Sequence, residues 1–345
     1  MVRFSFGGAC LGAAARCRRG RACHTRGCAT ERLDSPPTGS SDSVSTMSPF
    51  LHPPRRPWAF LLFLLPWLVL AGCALPSPTE GRLLRTGPTP VAEALFEVRA
   101  RHTDLVPVRV VFPSDSRGRP TRPADGSRLP ALVLVQGAFV PPEDYLWLAE
   151  SLAARGHVVA LPAHPLDFAL TATDNGRSAR QLLAQPPEDS LLTDLVDPSR
   201  IAVAGHSLGG VVASKLALEG GFAALALLAS YPDPADAERV PSLALPSLSL
   251  AGALDCSAQL PRVRDEASRL PSPSVLVVLQ GVTHYQFTVS DQKDREGGCA
   301  PTEPLDTAHE RITEVLARFL HAALAGNGTG ADDLRQVPGT EVTVR

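Results

Sequence analysis

The sequence predicts an α/β fold: a mostly parallel central sheet with helices on both faces and no large cap domain. Three observations carry this reading. Between about 91 and 325, short apolar runs alternate with stretches of helical periodicity, the pattern of strands joined by crossover helices. The hexapeptide 205–210, Gly-His-Ser-Leu-Gly-Gly, joins an apolar run at 201–204 to a helical pattern at 211–218, which places a serine at the tip of a strand–turn–helix. Only about fifteen residues separate Tyr231 from the next apolar run, little more than a long loop, and no cap domain fits there.

The elements follow in chain order. Residues 105–112 are rich in valine and read as an early strand, in a hairpin with 95–101. The run 131–135, Ala-Leu-Val-Leu-Val, is apolar throughout, as in a strand buried on both faces. Apolar side chains recur at helical spacing over 143–154; Trp147 lies in mid-helix and reads as core. A strand is expected at 157–161 and a short helical stretch at 178–183. The segment 163–200 has room to cover part of a site, though not as a large lid. Beyond the hexapeptide, 223–228, 248–251 and 274–279 read as strands and 304–324 as the last helix. No internal repeat is present.

The chain has 345 residues, 44% of them hydrophobic, which suffices for one large domain with appendages. Residues 1–72 carry nine arginines against Glu31, Asp34 and Asp42, so with an overall charge of −2 the remainder stands at −8. An acidic body argues against nucleic acid as a partner. Residues 47–72 have a basic start (Arg55, Arg56) and an apolar stretch from Trp58 to Leu70 that is too short to span a membrane and contains Pro66. This is the form of a signal peptide. Leu70-Ala71-Gly72-Cys73 resembles the lipobox of bacterial lipoproteins, which implies cleavage before Cys73, acylation of its sulfur, and an exported, membrane-anchored product. An ordinary secretory signal with an incidental cysteine is the alternative. Residues 1–46 are arginine-rich and aperiodic, and their four cysteines lack the close pairs of a zinc site. They read as an upstream segment before a true start at Met47, or as a transit peptide. Residues 73–90 look like a tether, 91–325 like the folded domain, and 326–345, rich in Gly, Asp and Thr, like a flexible tail.

The hexapeptide resembles the nucleophile elbow of the α/β-hydrolase fold, with Ser207 as nucleophile and small residues required at Gly205 and Gly209. A serine hydroxyl needs a base, and the base an orienting carboxylate. In this fold the order is Ser, acid, His. His284 lies in a loop directly after the 274–279 strand, where catalytic groups of open α/β sheets belong, whereas His309 and His321 fall on the last helix. Asp255 follows the 248–251 strand and a glycine turn; Asp233 and Asp236 sit among prolines as turn formers, and Asp265 falls on a helix. The oxyanion hole is expected from the backbone N–H of Leu208 and of Ala138, with Phe139 as second candidate. His206 fills the variable position of the motif and reads as structural. Cys256 and Cys299 are the only cysteines after Cys73; they flank loops that must converge if Asp255 meets His284, so they are candidates for a disulfide, or else two free thiols.

Residues from about 105 to 324 look like a serine α/β-hydrolase of the cap-poor esterase type, similar to dienelactone hydrolases, chlorophyllases and cutinase-like polyester hydrolases. The segments that carry the likeness are LVLVQGAFVPPEDYLWLAESLAARGHVVALPAH, GRSARQLLA, DPSRIAVAGHSLGGVVA, LSLAGALDCSA and GVTHYQF. The resemblance implies carboxylic ester hydrolysis by Ser207, His284 and Asp255, with no metal or other cofactor. Dienelactone hydrolases use a cysteine nucleophile where this chain has Ser207. Polyester hydrolases usually carry an aromatic at the position of Ala138; their aromatic after the strand beyond the elbow corresponds to Tyr231. Phe139, Tyr231 and Tyr285 are candidates to line a cleft for a small or lipid-like ester, or else loop-packing aromatics. A non-catalytic scaffold and an acyltransferase with the same triad are the rival functions.

Overall fold

A computed structural model describes residues 81–86, 88–101, 105–163 and 169–345. The readings of 1–46, 47–72 and Cys73 lie outside the described residues. Among the described residues, ten strands form one sheet, in the order β1-β2-β3-β5-β4-β6-β7-β8-β9-β10. They are β1 (Arg82–Arg85), β2 (Val91–Val98), β3 (Val106–Pro113), β4 (Leu129–Val135), β5 (Val158–Pro162), β6 (Val196–His206), β7 (Ala224–Leu228), β8 (Ser247–Gly252), β9 (Ser274–Leu279) and β10 (Thr340–Val344). Neighbours from β5 through β4 to β9 run parallel, and both margins are antiparallel. This is the expected fold class.

The α-helices among the described residues are α1 (Leu146–Ala153), α2 (Ala169–Ala184), α3 (Leu208–Glu219), α4 (Leu260–Ala267), α5 (Gln292–Glu296), α6 (Leu305–Leu324) and α7 (Ala331–Leu334). Strand alternation sends side chains to two cores. Leu132 and Leu134 of β4 pack with Leu148, Ile312 and Leu316 on one face, while Ala131, Val133 and Val135 pack with Ala179, Val212 and Leu216 on the other. Each fully buried leucine contributes about 2 kcal/mol by transfer from water, so a strand buried on both faces must be apolar throughout. Among the described residues, no helix is long and apolar enough to cross a membrane.

Three elements depart from the sequence reading. Residues 326–345 are not a flexible tail: α7 and β10 follow α6, and β10 pairs with β9 from Thr340↔Leu279 to Val344↔Val275. Leu334 and Val337 are buried in the core and moor this segment, and β10 covers the otherwise open edge of β9. Nor is 82–85 tether. β1 pairs with β2, and Arg82 forms an ion pair with Glu93 across them. Finally, α2 is a full helix of 16 residues rather than a short stretch, because its Thr-, Asn- and Gly-bearing first turns are held against α3 and β5 by packing rather than by propensity.

Candidate functional site

The strand order places the ends of β4, β6, β8 and β9 on the carboxyl edge of the sheet, with β7 between β6 and β8, and β4 and β6 adjacent where the strand order reverses. Ser207 sits at the turn from β6 into α3 with φ 54° and ψ −123°, a region that non-glycine residues occupy only under strain of about 1–3 kcal/mol. The surroundings enforce the turn. A Cβ on Gly205 would fall 2.0 Å from the Gly209 carbonyl oxygen, and one on Gly209 would fall 2.3 Å from that of Val135. Ser207 N–H donates to the Leu228 carbonyl at 3.0 Å, and the Ser207 carbonyl accepts from Ser230 Oγ at 2.6 Å. Gly210 is small because a Cβ there would meet Ser230.

Asp255 and His284 meet at the ends of β8 and β9. Asp255 Oδ2 lies 2.8 Å from His284 Nδ1, and both side chains are buried. Asp255 Oδ1 accepts from the N–H groups of Ser257 (2.8 Å) and Ala258 (2.7 Å), which fixes the carboxylate plane. The carboxylate only accepts, so Nδ1 of His284 carries a hydrogen, and in the neutral imidazole Nε2 is then the nitrogen with the lone pair. The two loops are stitched by Leu254 N–H to the Val282 carbonyl at 2.9 Å. Gly252 permits this approach, since a Cβ would fall 2.4 Å from the Val282 carbonyl oxygen. Cys256 and Cys299 approach with Cα atoms 6.2 Å apart and sulfurs within bonding distance.

The His284 loop has further supports that the sequence did not reveal. Gln286 is buried; its Oε1 accepts from Thr283 N–H at 3.0 Å and its Nε2 donates to the Glu303 carbonyl at 2.8 Å. Asp294 accepts from Tyr285 N–H at 2.6 Å, and burial pushes its carboxyl above the ordinary range. His309 Nε2 lies 2.8 Å from the Thr288 carbonyl oxygen, and its ring stacks on Trp147 at 3.6 Å, so both help to seat this loop.

Ala138 lies in the turn that follows β4. Its neighbour Gly137 donates to Tyr145 Oη at 2.9 Å, and that oxygen lies 2.9 Å from His206 Nδ1. Tyr145 precedes α1 and is fully buried. His206 is buried too; burial, then the neighbouring His284, holds its imidazole well below the usual value. The His206 and His284 ring centroids are 4.7 Å apart, which brings the serine turn and the His284 loop together. Phe139 has φ 55° and is 81% exposed on the rim. Tyr285 packs edge-on to His284 at 5.3 Å and lines a cavity of about 350 Å³ with Val140, Asp144 and Lys293. Tyr231 lies under the Arg262 guanidinium at 4.4 Å. Leu208 begins α3, whose N-terminus favours a developing negative charge. Among the described residues, no group of three or more metal-ligating side chains converges.

A strained serine at a strand–helix turn, beside a buried His–Asp pair on the carboxyl edge of a parallel sheet, defines the α/β-hydrolase fold. Residues 131–300 match the family model described as "Alpha/beta hydrolase family". The matched span runs from β4 past Cys299 and includes Ala138, Ser207, Asp255 and His284. No curated protein matches the chain.

Proposed function

We propose that this protein is a serine-dependent carboxylic ester hydrolase that works through an acyl-enzyme. The observation that carries the reading is the buried 2.8 Å contact between Asp255 and His284, on the same sheet edge as the strained turn of Ser207. His284 Nε2 takes the proton of Ser207 Oγ as that oxygen attacks the ester carbonyl carbon. The N–H groups of Leu208 and Ala138 hold the oxyanion. His284 then returns the proton to the departing alkoxide, which leaves an acyl group on Ser207. Water, deprotonated by the same imidazole, attacks the acyl carbon and restores the serine. Asp255 keeps Nδ1 protonated and stabilises the imidazolium in both halves of the cycle.

Exposed apolar side chains lie on the oxyanion, acid and base segments, namely Phe139, Leu254 and Val289, and they support an ester with an apolar acyl part. Phe139, Tyr231 and Tyr285 serve as substrate-facing aromatics in this reading. The test is a p-nitrophenyl ester series of increasing acyl length. We expect turnover that rises from acetate to the medium-chain esters and is lost in Ser207→Ala. Ester turnover that persists in Ser207→Ala contradicts the mechanism.

We further propose, from the basic start, apolar stretch and Leu-Ala-Gly-Cys of residues 47–73, that the protein is an exported lipoprotein anchored through acylated Cys73, with a Cys256–Cys299 disulfide formed outside the cytoplasm. Mass analysis of the mature N-terminus checks the anchor: Cys73 should be the first residue and carry diacylglycerol, and an unmodified Cys73 contradicts it.

A further inference from the structure

We propose that Tyr145 and His206 form a positioning brace that fixes the oxyanion loop and the base loop against the nucleophile turn. The proposal rests on the assignment of Ser207, His284 and Asp255 above. It begins with three hydrogen bonds in series: Gly137 N–H to Tyr145 Oη at 2.9 Å, Tyr145 Oη to His206 Nδ1 at 2.9 Å, and His206 Nε2 to the His284 carbonyl oxygen at 3.2 Å. The direction of the series follows from chemistry. The His284 carbonyl only accepts, so His206 Nε2 carries the hydrogen. Burial keeps His206 neutral, and a neutral imidazole has one N–H, so Nδ1 is bare and accepts the Tyr145 hydroxyl proton. Both ring nitrogens of His206 are thereby engaged, and the ring is enclosed, so His206 is no second base.

The brace connects what the chain keeps apart. Gly137 follows β4, His206 ends β6, and His284 follows β9, with the two histidines 78 positions apart in the chain. Its three anchors are the residue before Ala138, the residue before Ser207 and the backbone of the base itself. Oxyanion donor, nucleophile and base are thus tied at one remove from the reacting atoms, by groups that touch no substrate. The packing is close enough to dictate sequence: a Cβ on Gly137 would lie 3.0 Å from His206 Nδ1 and 3.2 Å from Tyr145 Oη. His206 also lies parallel to Phe287, ring centroids 5.7 Å apart, and that contact holds the imidazole plane from the side of the base loop. Small shifts of such groups cost rate steeply, so loss of the brace should lower turnover about 10- to 100-fold while binding of the ground state is spared.

The experiment compares Tyr145→Phe, His206→Gln and His206→Met with the wild-type protein. Active sites are counted by stoichiometric labelling with a fluorophosphonate, and kcat and KM are expressed per labelled site. Gln and Met have similar volumes, but only Gln keeps a donor near the Nε2 position. We expect Tyr145→Phe and His206→Met to lose about 10- to 100-fold in kcat, with KM within about threefold and His206→Gln clearly faster than His206→Met. An unchanged kcat per labelled site in Tyr145→Phe, or a Met variant as fast as the Gln variant, overturns the brace and leaves these residues as packing. If Tyr145→Phe does not fold, the Gln–Met comparison decides. Failure of the wild-type protein to label at Ser207 overturns the catalytic assignment instead, and the brace with it.

Discussion

His157 makes the fold sensitive to acid, and the size of the effect follows from its surroundings. The residue sits just before β5, is 5% exposed, and neither ring nitrogen meets hydrogen-bond geometry within the protein. Burial, reinforced by His321, Arg155 and Arg200 and offset in part by the Leu152 carbonyl, lowers its pKa to about 4. In the unfolded chain the imidazole titrates near 6.5. Below that pH the unfolded chain takes up a proton that the native state refuses. The contribution is therefore present in full above about 6.5, shrinks as the pH falls, and is gone by about 4. Between pH 7 and 4.5 the loss is about 2.5 kcal/mol, a large part of the stability of an ordinary domain. Replacement of His157 by leucine removes this term and leaves every carboxylate in place. Urea unfolding of wild type and His157→Leu at both pH values isolates it: the wild type should lose about 2.5 kcal/mol more than the variant on acidification. Equal losses in the two proteins would refute the argument.

Three further outcomes are expected. Asp255→Asn should keep the fold, because the Ser257 and Ala258 N–H bonds to Oδ1 can survive, yet lower kcat about 10³- to 10⁴-fold through loss of the required tautomer of His284, as steady-state ester hydrolysis will show. Gly209→Ala places a Cβ against the Val135 and Gln136 carbonyl oxygens, at 2.3 and 2.4 Å, and should cost about 4 kcal/mol or more in urea unfolding; near-wild-type stability would contradict the geometry of the turn. Removal of residues 337–345 strips β10 from β9 and Val337 from the core, so the truncated protein should melt several degrees lower and aggregate on warming.

What the sequence disclosed depended on how local the cause was. The central strands are legible because burial on both faces demands unbroken apolar runs such as 131–135 and 274–279. The serine turn is legible because its glycines are fixed by contacts within the motif or just beside it. Asp255 and His284 are legible as loop residues after strands, a local feature, although their 2.8 Å contact spans 29 positions. The segments missed owe their structure to distant partners. β10, Thr-Glu-Val-Thr-Val, has strand-favouring residues but is short, mostly exposed and set in a Gly- and Asp-rich segment, and it is held by the β9 edge with Leu334 and Val337 in the core. Tyr145 carries no sequence signal that sets it apart within 143–154, and His206 fills the variable position of its motif. Their roles emerge only when three strand ends meet. Asp294 and Gln286 are ordinary surface residue types whose burial depends on how the base loop closes over α5 and α6.

The central claim, that Ser207 is a nucleophile activated by His284, is tested most directly by mass analysis after exposure to a fluorophosphonate. The account predicts one covalent adduct per chain, located on Ser207 and absent from both Ser207→Ala and protein denatured before exposure. An intact, folded protein that acquires no adduct, or acquires it on another residue, would contradict it.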